Sequence, residues 1–352
     1  MKRKLNLLLT CALILALSLG CTVAGSSVRP AEDRELKLEA AHYMERAMER
    51  VRAYKEELGI PESPEDRFHT GLIGEEYNGI TTTLGPPEAK RTASDPNMAA
   101  LVVDLLRRAG VRPGDRVAAG FSGSFPGFDL AVLSAAAAME LDLTYMVAVG
   151  SSTHGANWPK LTFPEIALRL VEDGVFPTRP ALWSLGGQMD CGLDMDPELV
   201  AAITGRMEGT GLPLLREEDF TANIDRRMDL ILKDGPIRCF LGAGGNMTVT
   251  GRGERELGCG LLMDLEKRPI DDGSGLAERF GARGVPVIYL LNVKHLAADY
   301  GLPYDPEVQQ EPGSGPLYEA VHYPALPALL GLAGAGWVLL RGFGKKREEP
   351  AQ

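Results

Sequence analysis

Two uncharged apolar stretches, each bordered by basic residues, constrain this chain more than any other feature. Lys2, Arg3 and Lys4 precede an apolar run over residues 5–24, and a run over residues 323–340 is followed by Arg341, Lys345, Lys346 and Arg347. A membrane-crossing helix needs about 20 mostly apolar residues. The first run is long enough; the second is short and Gly/Ala-rich, with Pro324 and Pro327 at its start. Lys and Arg are retained on the cytoplasmic side of a bilayer, so both basic flanks are expected in the cytosol. The expected layout is a signal-anchor over 1–29, an extracytoplasmic domain over 30–320, a transmembrane helix over 323–341 and a cytoplasmic tail over 342–352. Two other readings of the first run stay open, lipidation of Cys21 after Ser18-Leu19-Gly20 and ordinary signal cleavage. The second run has an alternative too, an amphipathic helix packed on the domain.

Charge and cysteine narrow the function. The chain carries a net −11; setting aside Lys2, Arg3 and Lys4, and the net +2 of Arg341, Lys345, Lys346 and Arg347 against Glu348 and Glu349, leaves −16 on the intervening part. Such a surface is wrong for nucleic acid, and it repels a polyanion except at a local basic patch. Outside the membrane neither ATP nor NAD is at hand, so no cofactor is expected. Cys191, Cys239 and Cys259 leave room for one disulfide, Cys239–Cys259, but an odd count makes no framework. No CxxC or HExxH spacing points to a metal site.

Between the apolar runs the pattern alternates strand and helix. Short apolar segments at 116–121, 144–149, 181–185, 237–241 and 285–291 read as strands of the kind a parallel sheet buries on both faces. Helical segments are expected at 34–58, 97–109, 128–141, 164–173, 197–207 and 217–233, the first as a stalk or packed across the domain. This is the rhythm of a doubly wound α/β fold with a mostly parallel sheet.

Ligands of such sheets bind beyond the carboxyl ends of the strands. Three Gly/Ser-rich loops stand there, residues 120–127, 150–158 and 242–248. Their small residues let backbone N–H groups approach an anion. Ser151, Ser152, Asn157, Gly244 and Asn246 are candidate anion-binding residues. Lys90, Arg91 and Arg252, with Arg255, are candidates for a basic spot suited to carboxylates. A hydrolase reading makes Ser122 or Ser124 the nucleophile, His154 the general base and Asp129 or Asp190 its orienting acid. However, residues 121–125 are not a G-x-S-x-G elbow, and 242–245 lack both a dinucleotide fingerprint and a Walker lysine. Asp190, Asp194 and Asp196 place carboxylates in a turn, where Asp194 and Asp196 before Pro197 read as a helix cap rather than cation ligands.

In their order along the chain, several stretches resemble the family of poly-γ-glutamate system proteins. They are Gly71-Leu72-Ile73-Gly74, Ile80-Thr81-Thr82-Thr83-Leu84-Gly85, Ala89-Lys90-Arg91-Thr92, Phe121-Ser122-Gly123-Ser124-Phe125-Pro126, His154-Gly155-Ala156-Asn157 and Ser184-Leu185-Gly186-Gly187. The resemblance implies a membrane-inserted bacterial accessory to synthesis or export of this capsule polymer. Its implied partners are the synthase membrane subunits and the polymer itself. It carries over no catalytic residue, so two alternatives stand beside it: an extracytoplasmic γ-glutamyl hydrolase or transferase with a Ser/His centre, and a binding module for a carboxylate ligand.

Overall fold

The computed structural model describes residues 2–253 and 256–344, in two compact units, Met1–Glu32 with Glu319–Gln352, and Asp33–Tyr318. Arg255 and the tail residues Lys345, Lys346, Arg347, Glu348 and Glu349 lie outside the described residues.

The first unit pairs the helix Lys2–Ala24 with the helix Ala325–Gly344, and the strand Ser27–Pro30 with the antiparallel strand Glu319–His322. Small residues set the helix seam. Gly331 lies against Ser18, whose hydroxyl donates to the Pro327 carbonyl at 2.6 Å, and Cys11 is buried with its thiol 3.7 Å from the Ala335 carbonyl. The outer faces expose Leu8, Leu13, Leu17, Leu329 and Leu332. Stretches Lys4–Ala24 and Ala325–Gly342 are long and apolar enough to cross a membrane, with mean hydropathies of 2.4 and 1.4. By length and composition they are candidate spans.

The second unit is mixed α/β. Its central sheet holds β1 (Arg116–Ser122), β2 (Asp142–Ala148), β3 (Leu182–Ser184), β4 (Cys239–Ala243), β5 (Gly260–Leu262) and β6 (Val287–Leu290), in the order β5-β6-β4-β1-β2-β3. All neighbours are parallel except β5 and β6. The chain thus steps outward from β1 to β3, then returns to lay β4 on the other side of β1. The order reverses between β1 and β4, where the loops leaving both strands diverge and open a crevice.

Ten helices surround the sheet among the described residues: α1 (Arg34–Glu57), α2 (Pro87–Ala93), α3 (Asn97–Arg108), α4 (Pro126–Ala138), α5 (Phe163–Glu172), α6 (Pro197–Glu208), α7 (Phe220–Leu232), α8 (Met247–Thr250), α9 (Leu276–Gly281) and α10 (Val293–Asp299). Alternate side chains of β1 feed two cores. Val117, Ala119 and Phe121 pack with α1, α3, α4 and α5, whereas Ala118 joins Met146, Phe240 and apolar residues of α7 and α9. Both faces being covered, the middles of β1, β2 and β4 are apolar on both sides, with Arg116, Asp142 and Thr144 confined to the strand starts. Helix α1 presents Ala40, Met44, Ala47, Val51 and Tyr54 to the core, so it packs across this unit and is no stalk. Alanine-rich α4 is buried almost end to end, because its small side chains let neighbouring helices approach from every side.

The cap expected at Asp196 is formed, and a second one, not read from the sequence, stands at Thr162. Asp196 accepts from the N–H groups of Glu198 and Leu199 at the start of α6, and Thr162 with Glu165 makes a capping box on α5. Each is worth about 1 kcal/mol. All five cysteines are free thiols; Cys239 is sealed in the sheet, so the Cys239–Cys259 pairing is not made.

Candidate functional site

The loops after β1, β2, β3 and β4 meet the short strand Thr81–Thr83 around one cavity of about 370 Å³. Thr81–Thr83 reaches the site by pairing, parallel, with Ser151–Ser152. The cavity stands at the β1/β4 reversal, with Ser122 and Ser124 on one wall, Gly245, Asn246 and Met247 on another, and Gly187 and Asp194 at the β3 side.

The walls carry more donors than the protein uses. The Ser124 N–H donates to Ser122 Oγ at 3.4 Å, and the Ser152 N–H to Ser124 Oγ at 3.1 Å. Each hydroxyl therefore accepts a hydrogen bond, while its own O–H has no acceptor among the described residues. The backbone N–H groups of Gly245, Asn246 and Met247 likewise reach no acceptor among the described residues. Gly244 permits this crowding. Its φ of 76° is left-handed, and a Cβ there would sit 2.9 Å from Ser122 Oγ. Asn246 holds the loop by capping α8 through the Thr248 N–H and donating to the Phe121 carbonyl at 3.2 Å.

Lys90 lies buried behind the first two loops. Its ammonium donates to the Ser124 carbonyl and to Ser152 Oγ (2.6 Å), and stands 3.4 Å from the centre of the Phe125 ring. Burial pulls its pKa down to about 7, although Asp129 opposes the shift. Asp129 is fully buried, neither carboxyl oxygen has a partner, and burial holds its pKa well above the ordinary value. Ser151 Oγ donates to the Gly123 carbonyl at 2.8 Å, tying the β2 loop to the β1 loop.

The remaining candidates lie elsewhere. Asn157 is a brace, donating to the Glu75 carbonyl (2.9 Å) and Thr81 Oγ1 (3.0 Å). Buried Arg91 grips Asp305 with two nitrogens, at 2.7 and 2.9 Å, and Glu65 at 2.6 Å. The guanidinium in turn pulls the Asp305 carboxyl below its ordinary range. Arg252 is exposed, stacked over Phe220, with its guanidinium 3.4 Å from the Asp272 carbonyl. The expected basic spot therefore does not form: Lys90 and Arg91 are turned inward to partners of their own, and Arg252 lines no part of the cavity.

The Ser-His-Asp arrangement also fails. His154 is held in a left-handed conformation (φ 60°) by its N–H on the Glu75 carbonyl, and its Nδ1 is buried without a partner. No hydrogen bond joins it to Ser122, Ser124, Asp129 or Asp190 among the described residues. Asp190 instead forms a buried ion pair with Arg227 (2.5 Å) and accepts from Ser184 Oγ (2.8 Å) and Asn223 (3.1 Å). That clamp fixes the β3 loop, in which Met189 and Asp190 both take positive φ.

Spacing alone does not mark Thr82, Thr83, Gly187 or Asp194 as cavity residues; the two threonines arrive through pairing with Ser151–Ser152, the other two with the loop that follows β3. Asp194 caps no helix but accepts from the Gln188 N–H at 2.7 Å on the cavity rim. Among the described residues no group of three or more His, Cys, Asp or Glu side chains is arranged to hold a metal ion. Comparison of the chain with family models, curated proteins and solved structures finds no match.

Proposed function

We propose that this chain is a membrane-anchored accessory of a bacterial poly-γ-glutamate synthesis or export system, whose doubly wound domain works outside the membrane and binds a glutamyl carboxylate in the crevice between β1 and β4. One observation carries the binding reading. Two serine hydroxyls and three successive backbone N–H groups, none with an acceptor among the described residues, belong to residues that line one cavity. A carboxylate only accepts hydrogen bonds, so a surplus of donors is its complement. Asp194 on the rim supplies the opposite charge an α-ammonium seeks.

The polymer assignment rests on the resemblance of the loop sequences, and the membrane assignment on the two apolar helices with their basic flanks. A net −16 body argues against wrapping a long polyanion and favours capture of a short segment. The serine–histidine hydrolase is set aside, since no hydrogen bond joins His154 to either serine among the described residues.

The test is calorimetric titration of the full chain in detergent micelles with γ-linked glutamate oligomers, using α-linked oligomers of equal length as controls. Saturable one-site binding of the γ-linked form, weakened at least roughly tenfold in Ser122→Ala, is expected. Absence of heat from a folded chain, or equal binding of both forms, rejects the reading.

A further inference from the structure

A buried lysine ordinarily sits against a carboxylate. Lys90 does not: among the described residues no carboxylate oxygen lies within ion-pair distance of it, and its contacts are two neutral oxygens and an aromatic face. Among the described residues Asp129 is the charged group that acts on it, and that carboxyl is itself sealed, with no hydrogen-bond partner there for either oxygen. This environment suits an uncharged amine with a lone pair, which is a base. The base is also placed to act. Lys90 touches Ser152 Oγ, the Ser152 N–H holds Ser124 Oγ, and Ser124 borders the cavity with an uncommitted hydroxyl proton. In the resting structure Ser152 Oγ lies 3.4 Å from the Ser124 carbonyl. Among the described residues no hydrogen bond joins the Ser124 and Ser152 hydroxyls; the relay needs that link to close with substrate bound, the state in which catalytic hydrogen bonds commonly tighten. Across the cavity, the N–H groups of Gly245 and Asn246 offer donors for an oxyanion.

We propose that the cavity is an acyl-transfer site in which Ser124 is the nucleophile, Lys90 its general base acting through Ser152, and an amide flanked by a carboxylate the substrate. The proposal rests on the carboxylate-binding reading, since that contact is what would present the amide. Ser124 Oγ attacks the carbonyl carbon while its proton passes through the Ser152 hydroxyl to Lys90 Nζ. The tetrahedral oxyanion forms against the Gly245 and Asn246 N–H groups. The C–N bond then breaks, the departing amine takes the proton back from Lys90, and an ester remains on Ser124. Water, or the amine of a second chain, attacks that ester and gives an acid or a new amide with Ser124 restored.

The experiment uses the full chain in detergent micelles and an alkyl fluorophosphonate, with intact-mass spectrometry and peptide mapping at pH 6 to 9. A single adduct on Ser124 is expected, absent in Ser124→Ala and retained in His154→Asn, a side chain that tolerates the left-handed backbone there. Its rate should rise through the pH range in which a lysine of depressed pKa loses its proton. It should fall roughly 100-fold or more in Lys90→Met. Should Lys90→Met misfold, Ser152→Ala, which keeps the Ser152 N–H, should still slow labelling. No adduct on Ser124, an adduct on Ser122 instead, or a rate indifferent to both Lys90 and Ser152 overturns the proposal. If the wild-type chain takes no label on Ser124 yet binds γ-linked oligomers in the calorimeter, acyl transfer alone falls; if it neither takes label nor binds, both readings fall.

Discussion

Lys90 Nζ donates to Ser152 Oγ at 2.6 Å, while Asp129, the carboxyl whose charge acts on it, has no hydrogen-bond partner for either oxygen among the described residues. Both groups are buried without forming a contact ion pair, and burial drives each toward its neutral form.

That arrangement predicts a specific pH dependence of stability. Lys90 has a folded pKa of about 7 against an ordinary 10.5, so between these values the unfolded chain holds a proton that the folded chain has lost. Stability should therefore rise as pH goes from 7 toward 10, by an amount on the order of a few kcal/mol. Denaturant unfolding of wild type and Lys90→Met should show this slope in the first and a flatter profile in the second. Parallel slopes would contradict the shift.

Asp95 works in the opposite sense and in another window. Burial raises its folded pKa to about 6, despite hydrogen bonds from the Asn97 N–H and side chain. A raised carboxyl favours the protonated folded state, so its contribution is complete below about pH 4 and is lost as pH rises through 6. Asp95→Asn should remove that decline between pH 4 and 7, as followed by thermal melting.

The Asp190–Arg227 pair is almost wholly enclosed, and removing one partner strands the other. Asp190→Ala should cost about 3–5 kcal/mol by urea unfolding. Replacing both residues with apolar ones of similar volume should recover much of that loss. A single substitution costing less than about 1 kcal/mol would show that the pair is not buried in solution.

Gly244→Ala adds a Cβ 2.9 Å from Ser122 Oγ at a residue with φ of 76°. The left-handed conformation alone costs a non-glycine residue about 1–2 kcal/mol. Titration of this variant with γ-linked oligomers should show binding reduced roughly tenfold or more, with Tm lowered by only a few degrees. Unchanged affinity would remove this loop from the site.

Much of the fold was legible because local pattern and tertiary role agree. The apolar segments at 116–121 and 144–149 became β1 and β2 with one or two residues of adjustment, and 197–207 became α6 behind its Asp196 cap. Edge strand β5 was missed, since three residues carry no period and its pairing with β6 is remote in sequence. Helix α2 was missed for another reason: Lys90 and Arg91 look like surface charges, yet both are buried by partners more than 20 residues away.

The site followed the same division. Ser122, Ser124 and Asn246 were visible as small polar residues at strand ends, which is where a parallel sheet opens. The surroundings of Lys90 and His154 were not, because a single basic residue carries no sign of what packs around it. Folding turned the expected surface cation into an enclosed amine and left the expected base without a serine.

The antiparallel register of Ser27–Pro30 with Glu319–His322 closes a ring. Roughly 290 residues of chain leave one strand and come back to the other, a circuit whose closure costs a free coil about 5 kcal/mol of entropy. Wherever the two apolar helices stay together, that cost is already met before residues 33–318 fold. The unfolded chain is then a tethered loop rather than a free string, with fewer conformations to surrender. The helix pair does the work of a cross-link with no sulfur in it, in a protein whose five thiols are all free.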